Sequence, residues 1–238
     1  MSNKSLDGVL TKKAHTREKF SEEQIQDLVE CSNSKTGFEY FAKKFFYIQH
    51  PVEGKMLFQP FEYQKNLLHS YHDHRFNVNM LPRQSGKTTT AACYLLWFAM
   101  FHPDQTILIA AHKYTGAQEI MQRIRYGYEL CPNHVRAGVI NYNKGSMEFE
   151  NGSRIVSATT TGNTGRGMSI SLLYFFTVMS LRLSIQVLHR SSGLLFHQHL
   201  RQVVVQLSHQ RPTQMKMCLH KFGEKVKTNM MNMVTNKK

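Results

Sequence analysis

The stretch Leu81-Pro82-Arg83-Gln84-Ser85-Gly86-Lys87-Thr88 stands between two segments of different character. Before it, Phe76 to Leu81 sets Phe76, Val78 and Met80 against polar neighbours, the period of a strand. After it, Thr88 to about Phe101 is apolar enough for a buried helix, and the continuous apolar run Thr106 to Ala111 reads as another strand. Strand, glycine turn, helix, strand is a βαβ unit, the setting that a phosphate-binding loop requires. Backbone amides at such a helix N-terminus carry partial positive charge and cradle phosphate oxygens. On this reading Gln84, Ser85 and Gly86 line the cradle, and Lys87 reaches the β- and γ-phosphates of ATP as a mobile point charge. The Thr88 hydroxyl is then a ligand to Mg2+. The match to GxxxxGK[ST] is partial, because Leu81 holds the first glycine position. An ordinary surface turn ahead of an N-capped helix is the plain alternative.

Residues on either side extend the same alternation. Ser21 before Glu22 and Glu23 is an N-cap with dipole-matched acids, opening one short helix within a polar arm over residues 1–36 that looks loosely attached. Phe38, Tyr40, Phe41, Phe45, Phe46 and Tyr47 recur at three- and four-residue spacing, so the periodicity predicts a core-packed helix over Gly37–Gln49. Phe61–Tyr71 reads as a further helix. Thr115–Leu130 does too, stopping where Cys131-Pro132 cannot continue it. Val139–Tyr142, Ser146–Glu150 and Arg154–Ala158 read as short strands, the last two joined by an Asn151-Gly152 hairpin turn. Alternating strands and helices imply an α/β fold with a mainly parallel sheet and one antiparallel excursion.

The chain has 238 residues, room for one large domain or two small ones. Its composition, 41% hydrophobic and 19% charged, is globular and excludes disordered or collagenous classes. The densest apolar run, Ala91–Phe101, is well short of the roughly 20 residues that cross a bilayer, so no membrane role is expected. Cys31, Cys93, Cys131 and Cys218 have neither CxxC spacing nor density, and the N-terminus lacks a secretory apolar core. Both features suit a reduced cytoplasmic compartment. A net charge of +14 favours a polyanionic partner such as nucleic acid.

Two other features bear on the loop. Arg83 places a guanidinium where it would stabilise charge developing on a γ-phosphate, although a structural or DNA-facing role is equally open. Tyr63-Gln64, on the helix before the first strand, offers a ring to stack and an amide with a donor and an acceptor for an adenine edge. Together, Arg83-Gln84-Ser85-Gly86-Lys87-Thr88 preceded by Tyr63-Gln64 resemble the ATPase domain of the large terminase subunit, the DNA-packaging motor of tailed bacteriophages. The resemblance continues through Ile109-Ala110-Ala111-His112-Lys113, then Asn143-Lys144-Gly145-Ser146 with Asn151-Gly152-Ser153, and Arg166-Gly167-Met168-Ser169. It covers roughly residues 38–176. It implies a RecA-like P-loop NTPase over residues 37–176, with ATP and Mg2+ as cofactors and Arg83 and Lys87 as catalytic residues. Tyr63, Gln64, Gln84, Ser85, Gly86, Lys87 and Thr88 would bind the nucleotide, with Thr88 on the metal. The implied partners are double-stranded DNA, a portal protein, a small terminase subunit and further copies in a ring, in the host cytoplasm. A helicase-like ATPase and a non-hydrolysing nucleotide- or DNA-binding remnant are the competing readings.

The resemblance also implies a buried strand ending in Asp-Glu, the first acid for Mg2+ and the second for the attacking water. Here the sequence runs Ser171-Leu172-Leu173-Tyr174-Phe175-Phe176-Thr177-Val178-Met179-Ser180, with no carboxylate between Glu150 and Glu224. The charge changes at the same place: residues 1–176 carry a net +5, whereas residues 177–238 carry +9 with Glu224 as their sole acid. Regrouping the codons so that each begins at the third base of the one before lets Thr177–Leu183 encode Cys-Asp-Glu-Phe-Ala-Phe-Val. The same regrouping lets Ser208–Met217 encode Thr-Ser-Thr-Pro-Asn-Ser, similar to the family's coupling motif. A frame change near Phe175 and Phe176 is therefore expected, leaving residues 177–238 an irregular, out-of-frame basic tail and the ATPase incomplete and nearly inactive. The rival is a true DNA-gripping tail bearing His189, His197, His199, His209 and His220.

Overall fold

The computed structural model describes residues 10–16, 18–82, 84–159, 168–178 and 183–190. Five helices and nine strands follow one another there. They are α1 (Glu22–Ser32), α2 (Gly37–Lys44), β1 (Tyr47–His50), β2 (Gly54–Leu57), α3 (Glu62–Asp73), β3 (Phe76–Pro82) and α4 (Lys87–Phe101). After these come β4 (Thr106–Ala111), α5 (Tyr114–Leu130), β5 (Val139–Tyr142), β6 (Ser146–Phe149), β7 (Arg154–Thr159), β8 (Leu172–Val178) and β9 (Leu183–Arg190). The main sheet has seven strands in the order β3-β9-β8-β4-β7-β6-β5.

The sheet is mixed rather than mainly parallel. β4 pairs in parallel with β7 and β8, while the remaining ladders are antiparallel. The difference arises at β9, which enters between β3 and β8 and runs against both. Residues 183–190 thus correct the expectation of an irregular segment: Leu183-Ser184-Ile185-Gln186-Val187 alternates apolar with polar, which is sufficient strand pattern to pair. The stretch 191–238, with the rest of the expected basic tail, lies outside the described residues.

Helix α4 is the centre of the core. It is apolar on all sides, and every residue from Thr90 to Met100 is buried. On its flanks pack α2, contributing Phe38 and Phe41, and α5, whose Ala117, Ile120, Met121, Ile124 and Tyr128 recur at helical spacing. Beneath it lie Ile107 and Ile109 of β4, Ile155 of β7, and Leu172 and Tyr174 of β8. Buried Trp97 donates its indole N–H to the Cys31 carbonyl at 2.8 Å, tying α4 to the end of α1. The Cys31, Cys93 and Cys131 thiols are unpaired and buried, and burial pushes Cys31 up to about 12 and the other two upward as well.

The helix expected over Gly37–Gln49 ends at Lys44, and Tyr47–His50 turns instead into a hairpin with Gly54–Leu57. The aromatic spacing cannot distinguish the two, since Tyr47 and Ile48 suit a pleated surface as well as a helix. Pro51 closes the strand, and Gly54 at φ +72° makes the turn.

The N-terminal arm is better anchored than its polarity suggests. Lys13 bridges Val139 in parallel, the Val139 N–H donates to the Lys12 carbonyl at 3.0 Å, and the Lys12 ammonium reaches the Asn133 carbonyl at 3.1 Å. The His15 and Gly138 N–H groups donate to Glu150 at 2.7 and 2.8 Å. Burial raises the Glu150 carboxyl, but these two donors together with the nearby positive charge of Lys12 hold the group below the usual range. Residues 10–16 therefore lie along the β5 edge.

Two loops close the frame. Asn151 donates from one amide nitrogen to the Ala99, Met100 and His102 carbonyls at 2.9, 3.2 and 3.4 Å, capping the C-terminus of α4. Ser153 Oγ donates to His102 at 2.6 Å. At the opposite corner Asp27 accepts from Lys44 at 2.5 Å and Tyr40 at 2.7 Å, with His134 at 3.3 Å.

Replacing Asn151 with Ala leaves those carbonyls short of a donor and should cost about 1–3 kcal/mol in urea denaturation. Asn151→Asp should lose at least as much at neutral pH, since a carboxylate cannot donate and faces the negative end of the helix. Burial raises the Asp27 carboxyl, yet the donors Lys44, Tyr40 and His134 together hold it below its ordinary value. A lowered folded pKa stabilises above the unfolded value and is lost as pH falls through the folded one. The stability advantage of wild type over Asp27→Asn should therefore be full above pH about 4 and fade below it, as followed by thermal melts across that range.

Candidate functional site

Strands β3, β8, β4 and β7 run in one direction, β3 because it opposes β9, which in turn opposes β8. Their carboxyl ends share one edge, where open α/β sheets hold their ligands. The expected turn emerges on this edge, directly from β3 into α4.

Its backbone is special at two positions. Gln84 sits at φ +63° and Gly86 at φ +70°, ψ 4°, in left-handed conformation as the N-cap of α4. Glycine is required at position 86 for a second reason, since a Cβ there would run into the Gln64 amide nitrogen. The N-cap of α4 is a glycine, which has no side chain to cap the helix, and the first turn contains no acid. With no acid there to offset it, the partial positive charge of the helix N-terminus suits a phosphate.

Lys87 and Thr88 occupy the first two helical positions. Lys87 is buried at 5% exposure and makes an interaction of its own, while Thr88 is half-buried. Thr90 returns both its N–H and its hydroxyl to the Gly86 carbonyl, at 3.0 and 3.2 Å, which fixes the turn to the helix. Arg83 lies outside the described residues, as does Arg166.

Tyr63 and Gln64, far away in sequence, reach the same turn from α3. The Tyr63 hydroxyl donates to the Ser85 carbonyl at 2.7 Å and the Gln64 amide donates to the same oxygen at 3.2 Å. The Gln64 amide oxygen accepts from the Phe61 N–H at 3.0 Å. Gln64 is thus a buried brace with both ends of its amide engaged, a task that its sequence position alone does not reveal. The Tyr63 ring is 42% exposed and stacks on Phe61 at 5.9 Å and 9° between planes. Phe61 gives no signal in the sequence, because a single exposed aromatic ahead of a helix carries no pattern.

Arg123 of α5 donates to Thr89 at 3.5 Å, one residue beyond Thr88. His112 and Lys113, following β4, are exposed, as is Lys144. The Asn143–Ser146 loop is held to the sheet through Ser157, whose N–H and hydroxyl both donate to the Gly145 carbonyl at 2.8 and 2.9 Å. Asn151-Gly152-Ser153, by contrast, sits at the far end of α4 as its cap and so belongs to the scaffold. Among the described residues no group of three His, Cys, Asp or Glu is placed to hold a metal ion, and no helix is long and apolar enough to cross a membrane.

Gly86→Ala forces a side chain into left-handed backbone, at about 1–2 kcal/mol, and adds the overlap with Gln64. Combining it with Gln64→Ala should relieve the overlap but not the backbone strain. A double-mutant cycle read by denaturant unfolding should therefore show the pair less destabilised than the sum of its parts; strict additivity would mean that Gln64 does not brace the turn. Residues 78–175, spanning β3 to β8 and including this turn, match the family described as the N-terminal part of the terminase large subunit, T4likevirus-type.

Proposed function

Since residues 78–175 belong to the terminase large-subunit N-terminal family, with its role in phage DNA packaging, we propose that this chain is the nucleotide-binding part of an ATP-driven motor that moves double-stranded DNA into a procapsid. The observation that carries the reading is the left-handed, glycine-capped turn from β3 into α4, free of acids in its first turn, with Lys87 and Thr88 at the first two helical positions. In the intact motor the site would act within a ring of copies against the portal and the small terminase subunit, in the host cytoplasm.

Each residue has a distinct task in this reading. The amides from Gly86 onward hold phosphate oxygens by hydrogen bond and dipole. The Lys87 ammonium neutralises the β- and γ-phosphates, and the Thr88 hydroxyl is the protein's ligand to magnesium. Gln84 and Ser85 shape the cradle, and Gln64 fixes Ser85 from behind. The Tyr63 ring, with Phe61 stacked on it, provides an aromatic shelf for the base. Arg83 stabilises negative charge that develops on the transferring phosphoryl group. Thr88 would hold magnesium, which would supply electrostatic stabilisation of the negative charge on the phosphates.

Thr88 is one oxygen ligand, and P-loop sites pair it with an aspartate from a neighbouring strand. No Asp or Glu occurs between Glu150 and Glu224, so the edge beyond β8 brings no carboxylate in sequence to complete the metal site or orient water. The chain therefore binds ATP more readily than it turns it over. Steady-state phosphate release should stay below about 1 per second, the low end of common enzyme rates. A fluorescent ATP analogue should bind the wild type at least about tenfold more tightly than Lys87→Ala, a difference of about 1.4 kcal/mol, measured where thermal melts show both proteins folded. Equal affinities would remove the phosphate-binding role from this turn.

A further inference from the structure

We propose that the acidic pair missing from this site is carried by the same message, one nucleotide out of register, across the codons of Val178, Met179 and Ser180. What those acids would do rests on the nucleotide-binding reading above; where they are encoded does not.

Independent observations converge on one point of the chain. The family match ends at residue 175. Net charge shifts from +5 over residues 1–176 to +9 over 177–238, and carboxylates vanish until Glu224. The strand that follows the break, β9, enters the sheet between β3 and β8 and runs against both.

The location is also the right one for the chemistry. β8 ends at Val178, and its carboxyl end lies on the same edge as the turn from β3. A phosphate-binding site takes its metal-holding aspartate from such a strand end. Methionine has a single codon, ATG, which makes the overlapping triplets restrictive. With valine as GTG, the triplet that straddles Val178 and Met179 is GAT, aspartate. With serine as AGT or AGC, the triplet that straddles Met179 and Ser180 is GAG, glutamate. Any serine codon beginning TC gives valine instead. Aspartate followed by glutamate then stands immediately beyond the last residue of β8. The next overlapping triplets permit Phe-Ala-Phe-Val, an apolar run able to continue into the protein interior. The same register permits Thr-Ser-Thr-Pro-Asn-Ser across Ser208–Met217, so a single shift accounts for both places.

The test reads the coding DNA first and then the protein. Val178 should be GTG and Ser180 should be AGT or AGC; a TC-type serine codon at position 180 or another valine codon at 178 overturns the proposal outright, whatever the protein binds. A second chain is then expressed with one nucleotide restored between the codons of Phe175 and Thr177, so that translation continues in the overlapping frame. Magnesium-dependent phosphate release should exceed that of the present chain by about a hundredfold or more, the usual worth of a positioned acid or base. Changing the restored glutamate codon to glutamine should abolish the gain while leaving binding of the ATP analogue intact. If the restored chain binds the analogue but releases phosphate no faster than the present one, the acids are not the missing pair and the proposal fails. If the codons are as required but neither chain binds the analogue, the nucleotide-binding reading fails while the encoded pair stands.

Discussion

The turn at Gly86 is the constraint on which the architecture depends. To pass from the end of β3 into α4 without a gap, the backbone enters left-handed space at Gln84 and again at Gly86. The second of these positions lies so close to the Gln64 amide that no side chain fits. Hydrogen bonds from Tyr63 and Gln64 to the Ser85 carbonyl hold the strained segment from outside, and Thr90 holds it from within the helix. Strain kept in place by surrounding structure is how proteins pre-organise binding loops. The bracing elements come from both sides of the turn in sequence, which makes the loop a product of the tertiary fold.

Much of this is legible in the chain itself. The period of two in Phe76–Leu81, the unbroken apolar face of α4, the proline after α5 and the Asn151-Gly152 turn each have a local physical cause, so their elements fall within a residue or two of expectation. The Tyr47–Leu57 hairpin is hidden because aromatic residues at mixed spacing satisfy helix and strand alike. The anchoring of residues 10–16 is hidden because it depends on backbone groups meeting Glu150 and Tyr128 from far along the chain. Gln64 is legible as a site residue, but its use as a brace comes from the approach of α3 to the turn, which no spacing encodes.

The match over residues 78–175 and the physical reading of the loop agree on where the informative part of the chain lies. They also agree on where it stops. The core built by α2–α5 with β4, β7 and the first half of β8 is dense and closed, and its buried polar groups Asn77, Ser153 and Ser157 have hydrogen-bond partners. Folding of this region is thus specified by residues that precede the change in charge. Beyond that change the chain contributes β9, whose backbone completes the ladder between β3 and β8.

Helix α4 is secured at both extremities. One end is gripped through Gly86 and the braced Ser85, the other through the three carbonyls that Asn151 draws together. Fifteen residues separate the two fastenings, a span of about 22 Å at the usual rise, and every side chain from Thr90 to Met100 is embedded. Such a member has no slack in which to absorb displacement by bending. The place where phosphate would sit and the β6–β7 hairpin on the opposite rim are thereby joined through a single embedded rod.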